Sequence, residues 1–348
     1  MLTVSVPLAV RQRGGRKLVV TPGTTLNRGP SGADITLVKA LARAFRWRRL
    51  ALRAHRTICL DMNQATPRAP QPDLARSIKD AITSRVVALF NDRTRGEAPV
   101  VRRPDGMFGP NSVAWRVHGD VTSMMVGGIS SLLLQMLHPA VLAGVWDHSN
   151  FRTDMHGRLR RTARFIALTT YGGREEAEAV IARVRHIHDR VGGTLPDGMP
   201  YAANDPALLA WVHVTEALSF LNAWRRYVEP GMPLADQDRY FAEMAQVARA
   251  LGAAPVPSDR VGARRLIETY RPQLRSDARS RKVRDLVLKA ATADLLAARV
   301  QALGNQAAID LLPDWARRMH GLPNPLLARP LVRAGTLGVA QTLRWAFR

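Results

Sequence analysis

The sequence is poor in thiols: it contains one cysteine, Cys59, among 348 residues. A single thiol excludes an intrachain disulfide framework and any zinc site built from several cysteines, and it is compatible with a reducing compartment. Acidic residues are also scarce, with 28 Asp and Glu against 51 Lys and Arg, so the formal net charge is +23. The hydrophobic content of 46% is that of a globular chain and argues against a disordered one.

The positive charge is concentrated near the N-terminus, where residues 1–70 hold 13 Lys and Arg and only 2 acids. Residues 1–30 show no sustained hydrophobic period and predict a poorly ordered segment. Residues 34–57 predict a basic helix, which suits either an ordinary protein surface or an anionic membrane surface. A proline-rich stretch, Pro67–Pro72, follows. We therefore assign residues 1–72 to a basic N-terminal extension or linker.

Helical periodicity dominates the remainder of the chain. Apolar residues recur at helical spacing in nearly every segment, while alternating runs of Val, Ile and Thr are scarce. The predicted helices cover residues 73–91, 111–119, 158–171, 174–191, 205–228, 235–251, 258–275, 277–303 and 306–319, with Asn111 as the N-cap of the second. The sequence thus predicts an all-α protein, with one large helical domain over residues 73–322 and a basic amphipathic tail over residues 323–348.

One apolar segment, Val121–Trp146, contains 26 residues without Asp, Glu, Lys or Arg. That length is sufficient to cross a bilayer. The segment also contains Gly127-Gly128 and His138-Pro139, and a proline disrupts the helix at the point where a span would have to continue. We therefore favour a buried central helix of a bundle over a membrane span.

The common catalytic motifs are missing from the sequence: the zinc motif His-Glu-x-x-His, the di-iron motif Glu-x-x-His, Gly-x-Ser-x-Gly, the Walker loop and Gly-x-Gly-x-x-Gly. Chemistry therefore depends on His, Arg, Thr and a few carboxylates. On the helix predicted over 174–191, His188 shares the apolar face of Ile181 and Val184, whereas His186 lies on another side. A neutral imidazole in that position is either a core residue bonded to a backbone carbonyl or a metal or heme ligand. The spacing leaves both interpretations open.

The preceding predicted helix has a mixed face. Its members recur at spacings of three and four residues and therefore line one side of the helix; they are Arg158, Arg161, Thr162, Phe165 and Thr169. Arginines in such a position suit the carboxylates of an anionic cofactor, which they bind through paired hydrogen bonds. A solvated basic face fits the same spacing.

Several motifs together resemble a known family. They are, in chain order, Gly127-Gly128-Ile129, Leu134-Gln135-Met136-Leu137-His138-Pro139, Asp147-His148-Ser149, Gly157-Arg158-Leu159-Arg160-Arg161-Thr162, His188-x-x-Val191-x-Gly193 and Trp211-Val212-His213-x-Thr215. Their order and spacing are similar to those of the MpaB-type oxygenases, which include the latex-clearing rubber oxygenases. The resemblance extends over residues 105–320 and leaves out residues 1–72.

The resemblance implies an all-helical, globin-like core that binds one heme b. It implies that His188 is the proximal iron ligand, and it adds Arg158 and Thr215 as cofactor contacts. It also places catalytic residues on the distal side of the heme, namely Arg158, Arg161 and Thr162. The rubber oxygenases have a lysine at the position of Arg161, and an arginine is a poor iron ligand because it stays charged. We therefore expect an open or water-bound distal site.

Two carboxylates are candidates for a base on the distal side. Asp147 belongs to one of the matching motifs. Glu216 interrupts an apolar stripe of the helix predicted over 205–228, where it also suits a structural salt bridge.

These observations lead to the hypothesis of a heme b-dependent oxygenase that uses O2 on a small hydrophobic substrate, either unsaturated or isoprenoid. The alternatives are a non-catalytic heme-binding or sensing protein, a family member that binds no heme, and a basic helical protein for nucleic acid or membrane surfaces. Outside the N-terminal region no arginine cluster exceeds that of residues 158–164, so no nucleic-acid partner is expected. We expect a cytoplasmic protein, with peripheral membrane contact through residues 34–57 or 325–348 left open. The sequence does not define the oligomeric state.

Overall fold

The computed structural model describes residues 9–13, 16–20, 74–91, 96–289, 295–323 and 328–348. The chain divides into two compact units, Met1–Gln71 and Pro72–Arg348.

The first unit contains two antiparallel strands, β1 (Ala9–Arg13) and β2 (Arg16–Val20), with Val10 opposite Val19. Ten of the residues 1–30, for which we expected poor order, therefore lie in regular strands. Their β-branched valines favour an extended backbone, and the strands are separated in the sequence by Gly14-Gly15, a dipeptide typical of hairpins. The helix predicted over residues 34–57 lies outside the described residues.

The second unit is helical, which confirms the all-α prediction. In the described residues its helices are α1 (Leu74–Phe90), α2 (Val113–His118), α3 (Val121–Gln135), α4 (Pro139–His148), α5 (Met155–Tyr171), α6 (Arg174–His188), α7 (Pro206–Tyr227), α8 (Leu234–Leu251), α9 (Arg260–Tyr270), α10 (Ala278–Leu288), α11 (Leu295–Leu311), α12 (Asp314–Met319) and α13 (Arg329–Ala346). Two short antiparallel strands, β3 (Gly192–Thr194) and β4 (Pro200–Ala202), connect α6 to α7. The globin-like character of the bundle stays a prediction.

Some helix ends differ from those that periodicity predicted, because capping residues and prolines determine where these helices begin and end. Ser112, not the predicted Asn111, caps α2, because its side chain accepts a hydrogen bond from the amide of Trp115. The helix predicted over 306–319 is divided at Pro313, which is the N-cap of α12. Residues 306–311 instead complete α11, which starts at Leu295.

The charge-free segment folds as two helices rather than one. His138 is the N-cap of α4 and Pro139 is its first residue, and the axes of α3 and α4 differ by 104°. No single helix among the described residues has the length and hydropathy needed to cross a membrane, although this bent pair meets both criteria when its two parts are taken together. Much of α3 is buried against α7, as expected for a central helix of a bundle.

Helices α3 and α7 form the most extensive helix contact in the described part of the chain. The main core surrounds them, with fully buried side chains that include Leu133, Leu137, Trp211, Val214 and Phe220. The close approach requires a glycine at position 127, because a Cβ atom there would lie 2.8 Å from Phe220 Cδ1 and 3.0 Å from Ser219 O. Gly127 therefore sets the separation of the two helices.

We expect Gly127→Ala to lower the free energy of unfolding by about 1–3 kcal/mol, because the added methyl group forces α3 and α7 apart. The neighbouring Gly128 provides a matched control, since a Cβ atom there would lie 3.7 Å from Phe220 Cε1, an ordinary contact. Gly128→Ala is expected to stabilise the protein by about 0.5–1 kcal/mol through helix propensity alone. Urea denaturation followed by circular dichroism measures both values. Equal effects of the two substitutions would contradict the proposed role of Gly127.

Helix α13 packs on α1, α3 and α11, so most of the predicted C-terminal tail lies within the helical unit. Arg329 and Arg333 both bind the carboxylate of Asp310, at 2.9 and 2.8 Å, and Arg344 binds Asp120 at 2.7 Å. Both carboxylates are buried. The arginines of this helix therefore attach it to the bundle.

Candidate functional site

Helices α5 and α6 form a packed pair joined by two glycines, Gly172 and Gly173. Asp154 is the N-cap of α5, because its Oδ1 atom accepts a hydrogen bond from the amide of Gly157 at 2.8 Å. Glu176 fixes the start of α6 by accepting from the amide of Gly173 at 2.9 Å. Because the connection is so short, the two helices run antiparallel, which places the start of α5 beside the end of α6. Arg158 and His188 lie at those two ends.

The two histidines at the end of α6 differ as their spacing predicts. His186 is exposed and lies beside Asp189 and Arg190. His188 is half-buried, and its Nδ1 atom is buried without a hydrogen-bond partner. Burial lowers the pKa of His188, and the nearby positive charge of Arg158 lowers this pKa further. His188 is therefore a neutral imidazole at neutral pH, which is the form that binds metal ions.

Asn204, in the loop after β4, supplies an acceptor beside this histidine. Its Nδ2 atom donates to the carbonyl of Arg185 at 3.1 Å and to Asp189 Oδ1 at 2.5 Å. Since both partners only accept, the orientation of the amide is fixed. Its Oδ1 atom is then left buried without a partner, while the amide is close enough to raise the pKa of His188. No sequence signal indicated Asn204, which lies on a different element from His188.

Arg158 is a partly buried cation without a carboxylate partner among the described residues. Its Nη1 atom donates to Ser149 Oγ at 3.0 Å. Burial lowers the pKa of Arg158, and the charge of Arg161 lowers it further. Because an enclosed cation without a counter-ion is unfavourable, the end of α5 beside His188 is suited to an anionic group.

The other predicted site residues do not join this pair. Arg161 is exposed and binds Asp154 and Asn150, at 3.4 and 3.2 Å. Thr162 is also exposed and donates to the carbonyl of Arg158 in its own helix. Thr215 is fully buried and donates to the carbonyls one turn earlier in α7. Of the five predicted residues, the structure thus brings His188 and Arg158 together, and the roles of all five stay predictions.

The two candidate carboxylates lie in different surroundings. Asp147, at the end of α4, accepts a hydrogen bond from Tyr201 at 3.2 Å and forms an ion pair with Arg279 at 3.6 Å. Glu216 has neither a hydrogen bond nor an ion pair with any described residue, so the salt bridge considered from the sequence is not formed. Burial raises the pKa of Glu216 to about 7. Glu216 is therefore the candidate that exchanges a proton near neutral pH.

Other buried or half-buried histidines were not named as site candidates from the sequence, and they include His118 and His213. His118 binds Thr170 Oγ1 at 2.8 Å and Tyr240 Oη at 2.9 Å, so both of its ring nitrogens are satisfied. His213 has a buried Nε2 atom without a partner, and burial lowers its pKa to about 4. Unlike His188, it does not lie beside a partly buried arginine, because the positive charge that acts on it is that of Arg249, which is exposed.

Within the described ranges, no group of three His, Cys, Asp or Glu side chains is arranged to hold a metal ion. Heme iron requires only one or two axial ligands from the protein, so this finding bears on free metal ions rather than on heme.

Comparison with known proteins identifies the family. The family model described as ER-bound oxygenase mpaB/B'/Rubber oxygenase, catalytic domain, matches residues 115–345 and confirms the resemblance seen in the motifs. The match continues beyond the expected limit at residue 320, so it includes α13. No curated protein and no solved structure matches the chain. The match spans well over half of the chain, and the chain accordingly belongs to the mpaB and rubber oxygenase catalytic-domain family.

Proposed function

We propose that this protein is a heme b-dependent oxygenase that uses O2 to oxidise a small hydrophobic substrate, unsaturated or isoprenoid in type. The family match supports an oxygenase. The observation that carries the heme assignment is the proximity of His188 and Arg158 at the adjacent ends of α6 and α5. His188 is a neutral histidine, and Arg158 has no carboxylate partner among the described residues. A heme would provide a partner for both residues, because its iron atom can bind the histidine and its carboxylate side chains can bind the arginine.

His188 is the residue that would hold the iron. If its Nδ1–H group donates to Asn204 Oδ1, both buried atoms without partners are satisfied and the tautomer is fixed. The Nε2 lone pair is then available to a metal. Arg158 would bind a heme carboxylate through its guanidinium group, which is suited to paired hydrogen bonds with carboxylates.

Bound heme would supply the oxygen chemistry, and the chain's own residues set ligation, polarity and access. Asn204 fixes the orientation of the His188 ring through the hydrogen bonds that hold its amide. Arg158 retains positive charge at the edge of the site. Arg161 and Thr162 follow on the same helix and reach the distal side only if their exposed side chains turn from the positions described above. The unsaturated or isoprenoid substrate is the class suggested by the family resemblance.

The visible spectrum of the protein purified with heme supplied tests this proposal. We expect a Soret band in the parent protein and in His186→Ala, and its loss in His188→Ala. Among the histidines that the structure describes, His188 is the one that combines partial burial with a free ring nitrogen beside Arg158. His213→Ala serves as a second control, since His213 also has a buried nitrogen without a partner. Loss of the band in His213→Ala but not in His188→Ala would assign the ligand to α7 instead.

The substitution Asn204→Ala tests the proposed hydrogen bond between Asn204 and the His188 ring. We expect this variant to retain heme but to show an altered iron–histidine stretching frequency in the resonance Raman spectrum of the ferrous form, because the Nδ1–H donor loses its acceptor. An unchanged frequency would contradict the role of Asn204 without affecting that of His188. O2 consumption with an unsaturated hydrocarbon then separates an oxygenase from a heme-binding protein without turnover.

A further inference from the structure

Helix α13 has an unusual distribution of charge for a helix at the surface. Its three arginines, Arg329, Arg333 and Arg344, all bind buried carboxylates of the bundle, those of Asp310 and Asp120. A surface helix normally directs its charged residues to water and its apolar residues to the core. In α13 the charged residues instead attach the helix to the bundle, and uncharged residues form its outward face.

That outward face is uncharged. Its exposed positions within α13 are Pro330, Leu331, Ala334, Leu337, Gly338, Gln341, Thr342 and Trp345. Leu331 is 50% exposed, Leu337 36% and Trp345 42%. Most of these positions follow one another at spacings of three and four residues, so they form one continuous stripe. The stripe also contains the polar residues Gln341 and Thr342, but most of its side chains are apolar, and an exposed and largely apolar stripe indicates an interaction surface.

Positively charged side chains surround the C-terminal end of the stripe. Arg76 and Lys79 of α1 and the terminal Arg348 line a groove around Phe347, together with one acid, Asp80. Phe347 is 46% exposed. The Nζ atom of Lys79 lies 5.2 Å from the centroid of the Trp345 ring. Aromatic rings and long basic side chains thus occur together at one end of the helix.

We infer that the outward face of α13 lies in the interfacial layer of an anionic lipid membrane, with the helix axis parallel to the membrane surface. Leu331, Leu337 and Trp345 insert between the lipids, since Trp favours this layer and apolar stripes of surface helices enter it. Arg76 and Lys79 extend to the anionic headgroups. The formal net charge of +23 complements such a surface.

A second copy of the chain is a poorer occupant of this face because the area is too small. A helix of 18 residues is about 27 Å long and about 10 Å wide, so the stripe offers about 300 Å². A stable protein interface buries about 800 Å² on each partner. A lipid layer, by contrast, needs no complementary shape and adapts to a narrow stripe.

Sedimentation with vesicles tests the inference on the full-length protein. The probes are phosphatidylcholine vesicles and vesicles of equal parts phosphatidylcholine and phosphatidylglycerol, each at low salt and in about 1 M NaCl, where the Debye length is about 3 Å. We expect binding to the anionic vesicles that persists in part at high salt. The variant Leu331→Gln/Leu337→Gln/Trp345→Gln should bind at least about tenfold more weakly at high salt, because its charge is unchanged and its apolar contacts are lost.

The matched control is Val261→Gln/Met199→Gln, which replaces apolar side chains that are 53% and 62% exposed on other elements. Circular dichroism verifies that both variants are folded. Parent-like vesicle binding by the α13 variant, or equal loss in the control, would overturn the inference. So would a parent protein that fails to bind anionic vesicles and is a dimer by light scattering while the α13 variant is monomeric. None of these outcomes depends on heme, so the result is separate from the proposed function.

Discussion

Replacing Asp310 by alanine is expected to lower the free energy of unfolding by about 3 kcal/mol, because it leaves several arginines without their common counter-ion. The Asp310 side chain is 1% exposed and accepts charge-assisted contacts from Arg226 at 2.9 Å, Arg329 at 2.9 Å and Arg333 at 2.8 Å. We take the lower end of the usual range for a broken buried pair, since the arginines themselves are partly solvated. The effect should extend along α7 and α13, which both attach to this carboxylate.

Chemical denaturation measures this effect, with Asp310→Asn as the isosteric comparison. Asn keeps the shape but not the charge, so it should recover only part of the loss. Asp105→Ala is the control, because Asp105 forms an exposed pair with Arg103 and its removal should change stability little. Equal changes in the free energy of unfolding for Asp310→Ala and Asp105→Ala would show that Asp310 does not attach α13 to the bundle.

Replacing Glu216 by glutamine is expected to stabilise the protein strongly at pH 8 and by no more than about 1 kcal/mol at pH 5. Burial raises the pKa of Glu216 to about 7 from a reference value of 4.5. Between these values the folded state retains a proton that the unfolded state releases, so the free energy of unfolding of the parent falls as the pH rises through this range. The full difference is about 3 kcal/mol at pH 8. Glutamine carries no titratable proton and therefore removes this part of the pH dependence.

Urea denaturation of parent and variant at pH 5, 6, 7 and 8 gives the difference directly. Glu178→Gln is the matched control, since Glu178 is exposed on α6 beside Arg174. Its stability difference from the parent should remain constant with pH across this range. A constant difference for Glu216→Gln as well would show that Glu216 is solvated like an ordinary surface carboxylate.

Periodicity predicted most of the helices because the burial of one helical face is a local property of the sequence. It also separated His186 from His188, and the break at Pro139 followed from the chemistry of proline. The motifs of the oxygenase family were recognisable for the same reason, since each lies within a few consecutive residues. These features depend on residues that are close together in the chain, so they can be identified from the sequence alone.

Other features depend on residues that are distant in the chain and could not be predicted in this way. The sequence predicted a basic amphipathic tail but gave no partners for its arginines, and in the structure the arginines of α13 bind Asp310 and Asp120, which lie on other elements. The position of Asn204 beside His188 likewise arises from the loop after β4 rather than from α6. The family resemblance placed Arg161 at the distal side of the heme. In the structure its side chain is exposed and binds Asp154 and Asn150, which the sequence did not indicate, and its distal role stays a prediction.

The attachment of α13 has a consequence for the order of folding during synthesis. Asp120 and Arg344 are separated by 224 residues, and Asp310 also obtains two of its partners from α13. Residues 329–346 leave the ribosome after the rest of the bundle, and domains fold as units during synthesis. Until then Asp120 lacks Arg344, and Asp310 has only Arg226 of its three arginine partners. The bundle therefore reaches its stable form only after α13 has been made.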